Sequence, residues 1–135
     1  MKCDNTDVAS VGLQPSGRTY TAECLKEAVD KINAGSGELL GSFQGVEEPL
    51  ILERATHICR NFTFKDGYIK CDVEILNTPD GEHLKMILED GRVPMKMNVS
   101  GRGYVDENGI VSDFEILYVN AGLSDGPVSE RIDAN

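Results

Sequence analysis

Two pairs of β-type segments joined by short turns constrain the fold of this chain more than any other feature. The first pair, NFTF and YIKCDVEIL, flanks Asp66 and Gly67. The second pair, VPMKMNVSGRGYV and IVSDFEILYVNA, flanks DENG, where Asn108 and Gly109 are expected to supply positive φ angles. LILERATHIC is a further predicted strand. Because hairpin strands pair antiparallel, these segments predict an antiparallel sheet or barrel.

A first helix is predicted between Thr21 and Gly35. Threonine is a favoured N-cap because its side-chain oxygen accepts a hydrogen bond from the first turn, and glycine commonly ends helices. One face of this segment carries the apolar residues Leu25, Ala28, Val29 and Ile32.

A second helix is predicted between Thr78, its N-cap, and Gly91, where it stops. Pro79 suits the first helical position, where no N–H is needed. The inward face is expected to carry Leu84, Ile87 and Leu88. With 135 residues, the chain is expected to form a single α+β domain over residues 1–135, an antiparallel sheet or barrel with two main helices.

The charge balance points to a protein partner. Thirteen Lys and Arg residues against 23 Asp and Glu residues give a formal net charge of −10. This charge repels nucleic acid and anionic membrane surfaces. The N-terminal residues lack the apolar core of a signal peptide, and no stretch approaches the roughly 20 apolar residues of a membrane span. We therefore expect a soluble chain that is not exported by this route.

The cysteines indicate neither a metal site nor a redox motif. Cys3, Cys24, Cys59 and Cys71 are widely spaced, with no C-x-x-C pair. They are expected to be reduced thiols, and no metal or cofactor is predicted.

Ser100 is the candidate catalytic nucleophile. A serine attacks a carbonyl carbon only when a base takes its proton and donors stabilise the oxyanion. Arg102 is the candidate oxyanion support, and Gly101 and Gly103 would let a substrate backbone come close. The alternative is that Ser100 is a structural serine of a strand.

The candidate base is His57, because the sequence contains only one other histidine, His83. His57 lies within a predicted strand, where an inward imidazole is commonly a hydrogen-bonded core group. Both interpretations of His57 stay open at this stage. His83 lies on the second predicted helix, at its boundary or surface.

The stretch SGELLGSFQGVEEP is predicted to be a long loop between the first helix and the next strand, and loops of this length are often functional. Leu40, Phe43 and Leu50 are its candidate binding residues, because interfaces draw their energy from a few apolar anchors. Phe43 is equally open to a second interpretation, in which it closes the core.

Several stretches, taken in order, resemble the prohead maturation proteases of tailed phages, a serine peptidase family related in fold to herpesvirus assemblin. PSGRTYTAECLKEAV is similar to the family segment N-x-x-x-R-x-Y-P-x-x-x-L-x-x-A-V, and GEL, LERATHI and VEILNTPDGEHLKMILEDG follow. NVSGRG is similar to G-V-S-S-R-G, whose first serine is the nucleophile and matches Ser100. FEILYVNAGLSDGP resembles the strand that follows. The resemblance implies the assemblin-like fold.

The chain departs from the family at positions that carry the chemistry. The family's catalytic histidine lies in G-E-L-x-H-P, and the matching position here is Gly41. Asn98 and Gly101 replace a glycine and a serine around the nucleophile. Asn120 stands where the family has a late aspartate, and a neutral amide does not stabilise an imidazolium as a carboxylate does. The resemblance also places a second, structural histidine at the strand position of His57.

These features predict a phage head assembly protein that is non-catalytic and capsid-associated, such as a decoration, cement or assembly component. The alternative is an active prohead maturation serine endopeptidase that cleaves scaffold and capsid precursors. The expected partners are phage capsid or scaffold proteins, with self-association as a further option, and neither nucleic acid nor a membrane. The expected location is the virion head, or the host cytoplasm during assembly.

Overall fold

Two four-stranded sheets and two α-helices form the part of the chain that the structure, a computed structural model, describes: residues 1–15, 17–44 and 52–123. The strands are β1 (Lys2–Ser10), β2 (Gly12–Leu13), β3 (Thr19–Tyr20), β4 (Glu38–Gly41), β5 (His57–Lys65), β6 (Tyr68–Ile75), β7 (Met95–Val105) and β8 (Ile110–Leu123). The helices are α1 (Ala22–Ala34) and α2 (Pro79–Asp90), and a 3₁₀ helix spans Leu52–Arg54.

The first sheet has the strand order β1-β6-β5-β4, and the second has the order β2-β3-β8-β7. All pairs are antiparallel except β3 with β8, so the predicted antiparallel architecture and α+β class are confirmed. The segment after β4 joins the two sheets, because Phe43 bridges Ala121 of β8 in a parallel arrangement. Gln44 N–H donates to Ala121 O at 2.7 Å, and Ala121 N–H donates to Ser42 O at 2.9 Å.

Helix α1 packs against both sheets and fills the core between them. Its predicted limits are confirmed: the Thr21 side chain accepts from Cys24 N–H, and Gly35 N–H closes the C-terminal turn. The predicted apolar face is buried, with Leu25 and Ala28 fully so. Just before α1, Tyr20 stacks on Phe114 of β8 with ring centroids 5.2 Å apart. Burying these two rings stabilises the contact between α1 and the second sheet.

Helix α2 covers the 3₁₀ helix and the end of β6. Thr78 is its N-cap, Pro79 opens it, and Gly91 ends it in the left-handed conformation at φ 74°, all as predicted. Leu84 is fully buried and Leu88 packs against the core edge. Neither helix in the described residues has the length and apolar composition to cross a membrane.

The two hairpin turns differ in how well the sequence predicted them. Asp66 and Gly67 join β5 to β6 in the predicted hairpin, with φ angles of 54° and 83°. In the second turn only Gly109 is positive, at 80°, so the expectation for Asn108 is wrong. The Asp106 carboxylate instead accepts the N–H groups of Asn108 and Ile110, which holds the turn in another form.

Two further sequence predictions are corrected, and one strand was missed. Leu52–Arg54 is a 3₁₀ helix rather than a strand, because Ala55 N–H closes a turn on Leu52 O and Arg54 pairs with Asp80 of α2 at 2.7 Å. The predicted long loop contains β4, which pairs with β5. Strand β1 was not predicted; it has Asp and Asn positions and two irregularities in its register with β6.

Candidate functional site

Ser100 lies near the middle of β7 and is only 3% exposed. Its neighbour Val99 belongs to the core, so by the alternation of a strand Ser100 lies on the opposite, outer face of the second sheet. Across the sheet it faces Tyr118 of β8. The nucleophile candidate therefore lies in a covered position on a paired strand, not at an exposed turn.

The side chains that flank Ser100 on the outer face are neutral amides. Asn98 pairs in register with Asn120, and the Asn120 Oδ1 atom accepts the Ser42 N–H at 3.3 Å. The Asn98 Nδ2 atom is buried and, in the described residues, has no hydrogen-bond partner. An amide neither takes a proton at neutral pH nor stabilises a neighbouring imidazolium, so these neighbours offer Ser100 no acid–base chemistry.

The glycines after Ser100 let β7 and β8 approach each other. A Cβ atom on Gly101 would collide with Glu115 O and lie 2.9 Å from Phe114 Cε1, and one on Gly103 would lie 2.9 Å from Ser112 O. The register between the strands also shifts after Ser100. Close strand packing at a bulge accounts for both glycines without a substrate.

Arg102 is exposed and pairs with the residue opposite it on β8. Its Nη2 atom lies 3.4 Å from Glu115 Oε1, and both side chains are half-exposed. A solvated pair of this kind contributes little to stability. The Arg102 charge is thus partly neutralised by Glu115, while its role as oxyanion support stays a prediction.

His57, the candidate base, is fully buried where β5 approaches β8. Its Nε2 atom lies 2.6 Å from Val119 O and its Nδ1 atom 2.6 Å from Thr56 Oγ1. Because a carbonyl oxygen only accepts, Nε2 carries the proton that it donates to Val119. Burial lowers the pKa of His57 to about 4, so the ring is neutral at pH 7 and Nδ1 keeps the lone pair. That lone pair accepts the Thr56 hydroxyl proton.

Both ring nitrogens of His57 are therefore engaged by groups other than Ser100. The nitrogen that could take a proton faces Thr56, and the nitrogen on the β8 side already carries one. For His57 to serve Ser100, the ring would have to break two buried hydrogen bonds. The geometry favours the structural interpretation of this histidine.

Gly41 lies directly opposite His57 in the β4–β5 register. A Cβ atom on Gly41 would collide with Val119 O and with His57 Nε2, and would lie 2.6 Å from His57 Cε1. The position that matches the family's catalytic histidine consequently has no room for any side chain. We call Gly41, Thr56, His57 and Val119 the histidine bridge, because together they join β4, β5 and β8.

The binding candidates of the predicted loop fall into different settings. Phe43 is partly buried, packs against the core and makes the bridge to Ala121, while Leu40 is partly buried on β4, opposite Ile58. Leu50 lies outside the described residues. His83 is exposed on α2.

The sequence does not identify Thr56 and Val119 as partners of His57. The only signal is that threonine directly precedes the histidine in ATHIC; nothing local marks a carbonyl 62 residues away in the chain. A cleft lined by residues of β1 and β7 was not predicted either, because strand β1 itself was not predicted. Within the described ranges, no three His, Cys, Asp or Glu side chains group as a metal site would require.

The buried imidazole makes stability depend on pH. His57 has a folded-state pKa of about 4 against 6.5 for the free side chain, so between these values the unfolded chain binds a proton that the folded protein does not. We expect the free energy of unfolding to be unaffected by this group above pH 6.5 and to fall by roughly 3 kcal/mol between pH 6.5 and 4. Urea titrations at a series of pH values measure this loss.

The control for this prediction is His57→Gln, which keeps an amide donor but does not titrate. The wild type and this variant differ in the slope of the free energy of unfolding against pH. That difference gives the contribution of His57 without the contribution of the carboxylates. Equal slopes from pH 6.5 to 4 would contradict a buried, neutral His57. A ring-proton chemical shift that stays constant from pH 7 down to about 5 is the matching NMR signature.

Over most of its length, this chain is similar in structure to the capsid assembly protease of bacteriophage T4. The TM-score is 0.65 at 16% sequence identity, and the similarity covers 92% of this chain and 81% of that chain. At this identity the likeness shows the fold alone, and it confirms that the fold resembles that of a phage capsid protease, as predicted. No family model and no curated protein matches the sequence.

Proposed function

We propose that this protein is a non-catalytic component of phage head assembly, such as a capsid decoration, cement or assembly protein. The observation that carries the proposal is the histidine bridge. At the position of the family's catalytic histidine, Gly41 has no space for a side chain, because Val119 O and the His57 ring already occupy it. The remaining buried histidine donates to a main-chain carbonyl and is neutral.

Loss of the base removes most of the catalytic power of a serine peptidase. Removing one member of a catalytic triad lowers the rate by about 10⁴ to 10⁶-fold. Ser100 is also 3% exposed and is flanked by amides rather than by carboxylates or imidazoles. These features together support retention of the fold with loss of the chemistry.

A separate set of observations supports the link to head assembly. The fold similarity to a capsid assembly protease and the motifs that resemble prohead proteases favour it. The net charge of −10 suits contact with proteins and disfavours contact with packaged DNA. Shell or scaffold proteins of the phage head are the partners we propose.

The catalytic half of the proposal is tested with a serine-directed fluorophosphonate. We expect the full-length protein to stay unlabelled and to leave a scaffold peptide uncleaved, because no histidine hydrogen-bonds Ser100 in the described structure. Mass spectrometry of the intact protein reads out the label. Stoichiometric labelling that disappears in Ser100→Ala, together with peptide cleavage, would establish the active endopeptidase instead.

The binding half is tested by co-sedimentation of the full-length chain with proheads, and with separately purified shell and scaffold proteins of the same phage. Retention on one of these at moderate salt is expected. An unrelated acidic protein of similar charge serves as the control for nonspecific association. If neither proheads nor the purified components retain the protein, the assembly role is wrong whatever the labelling result.

A further inference from the structure

The outer face of the second sheet carries exposed apolar side chains at the end where β7 turns into β8. Leu13 of β2 is 76% exposed, Tyr104 of β7 is 42% exposed and Ile110 of β8 is 36% exposed. When an antiparallel sheet packs one face on the core, its other face is ordinarily polar. These three side chains depart from that pattern.

The strand register places Leu13 and Ile110 in one row that crosses three strands. Leu13 is opposite Thr19 of β3, and Thr19 is opposite Ile110 of β8. The next residues along these two strands, Tyr20 and Val111, are only 1% exposed and belong to the core. Because side chains alternate between the two faces of a strand, Thr19 and Ile110 point outward, and Leu13 lies beside them.

Tyr104 extends this row to the fourth strand of the sheet. It is opposite Ser112, which follows Ile110 by two residues and therefore lies on the same face of β8. A ring at such a diagonal position is within reach of the neighbouring side chain. We call Leu13, Ile110 and Tyr104 the outer apolar patch.

The outer face of the first sheet is instead crossed by ion pairs. Arg60 lies 2.8 Å from Glu38, and Lys70 lies 2.7 Å from Asp7. Single apolar side chains are common on protein surfaces, whereas a group of them on one face marks a site of interaction. The contrast between the two sheets therefore points to a contact surface on the second.

Two neutral ion pairs border the outer apolar patch beside Tyr104. Lys31 pairs with Asp113 at 2.6 Å, and Arg102 pairs with Glu115 at 3.4 Å. Together with Tyr104 they line a depression of about 160 Å³. Interfaces are anchored by side chains that fill such depressions, so this one offers a place for a single side chain of a partner.

The charge at the end of the row is negative. Asp106 N–H donates to Ile110 O at 3.1 Å, so the Asp106 carboxylate lies at the end of the row, and the exposed Glu107 follows it in the turn. Glu107 forms no ion pair within the described residues. Arg18, beside Thr19, already takes part in another interaction. The rim of the patch is therefore acidic, in keeping with the net charge of −10.

An apolar patch with an acidic rim selects its occupant by charge. A second copy of the chain would bring the same acidic rim against itself, and nucleic acid or an anionic membrane surface would be repelled. A protein segment with both apolar and basic side chains complements the patch and the rim together.

We infer that the outer apolar patch binds a partner protein through a surface segment of apolar and basic side chains. The inference rests on the proposed function, because it locates the surface through which a head assembly component would hold its partner. Leu13 and Tyr104 are the apolar anchors, and Glu107 supplies the preference for a basic segment.

The anchors are tested by co-sedimentation of full-length variants with proheads and with purified shell and scaffold proteins. Leu13→Ser and Tyr104→Ser should each weaken retention at least about tenfold, and both should keep the wild-type melting temperature because the side chains are exposed. Leu52→Ser is the matched control. Leu52 is 71% exposed but lies on the 3₁₀ helix, which packs against α2 and is not part of the second sheet.

The charge preference is tested with Glu107→Lys, which should weaken retention roughly fivefold. Glu53→Lys, at an exposed position of the 3₁₀ helix, makes the same change in net charge and is its control. Equal weakening by both variants would show a general charge effect and overturn the assigned role of Glu107.

A peptide tests the patch independently of the head proteins. A capped six-residue peptide of alternating valine and lysine is added to the isotopically labelled full-length protein, and amide chemical shifts are measured by NMR. The amides of Leu13, Tyr104 and Ile110 are expected to shift, and those of the 3₁₀ helix to stay constant. A peptide of alternating valine and glutamate should cause no shift, because its charge matches that of the rim.

The outcomes separate the patch from the proposed function. Equal retention of the wild type, Leu13→Ser and Tyr104→Ser on a head protein would reject the patch and leave the proposed function intact. If no head component retains the wild type, the proposed function is wrong, and the valine–lysine peptide alone decides whether the patch binds. Shifts of the patch amides with protein concentration alone would make a second copy the occupant and overturn the inference.

Discussion

Gly41→Ala is expected to lower the free energy of unfolding by about 3 kcal/mol or more, which corresponds to a fall in melting temperature of roughly 10 °C. The added Cβ atom would collide with Val119 O and His57 Nε2. Neither atom can move without disrupting the packing around it, because both residues are fully buried in the core. Either β4 shifts away from β8 or the His57–Val119 hydrogen bond breaks. Thermal and urea denaturation followed by circular dichroism measures the loss.

Gly35→Ala is the matched control for this substitution. A Cβ atom there would be 3.6 Å from Ile32 O and Lys31 O, in ordinary van der Waals contact, and φ is −94°. We expect a change within about 1 kcal/mol. Similar losses for both variants would mean that Gly41 is not specifically packed against the histidine bridge.

Gly41→His tests the same contact by its effect on stability and on the reactivity of Ser100. It restores the residue type that the resemblance places at this position, yet the imidazole would begin with the same colliding Cβ atom. We therefore expect a destabilised protein without fluorophosphonate reactivity. A stable Gly41→His protein that labels at Ser100 would show that the space at this position can be recovered.

His57→Ala is expected to destabilise the protein by about 3 to 5 kcal/mol. The substitution removes a fully buried ring and leaves a cavity. It also removes the partner of Val119 O at 2.6 Å and leaves the Thr56 hydroxyl with Gly41 O, at 3.3 Å, as its acceptor. Because a domain of this size has a total stability of about 5 to 15 kcal/mol, the variant should be marginally folded at 37 °C.

Two substitutions separate the hydrogen bonds from the general effect of changing a histidine. His83→Ala, on the exposed surface of α2, should change stability by less than about 0.5 kcal/mol. His57→Gln retains an amide that can donate to Val119 O and should recover part of the loss. If His57→Ala were as stable as His83→Ala, the bridge between β5 and β8 would contribute nothing.

The two large effects have one structural origin. The edge of β8 that faces away from β7 pairs with β3 at one end and with the segment around Phe43 at the other. Between them, the His57 side chain satisfies the Val119 carbonyl in place of a strand. A side chain can fill this gap only because Gly41 leaves the space, so the glycine and the histidine depend on each other.

The features that could be predicted from the amino-acid sequence are those whose causes are local. Thr21 and Gly35 limit α1, Thr78 and Gly91 limit α2, and each cap acts through atoms within a few residues. The Asp66–Gly67 turn is equally local, since it needs only residues that tolerate positive φ. The motifs that resemble the prohead proteases also predicted the fold, because they contain these local signals in the same order along the chain.

Features that depend on partners distant in the chain could not be predicted from the sequence and follow from the folded structure. Strand β1 forms because β6 pairs with it, although its own residues are poor strand formers. The protonation state of His57 depends on a carbonyl of β8 and on a threonine of its own segment. The cleft lined by β1 and β7 depends on the order of the strands in two sheets. Proton affinity, free strand edges and the space at a glycine follow from packing across the whole fold, so no local pattern encodes them.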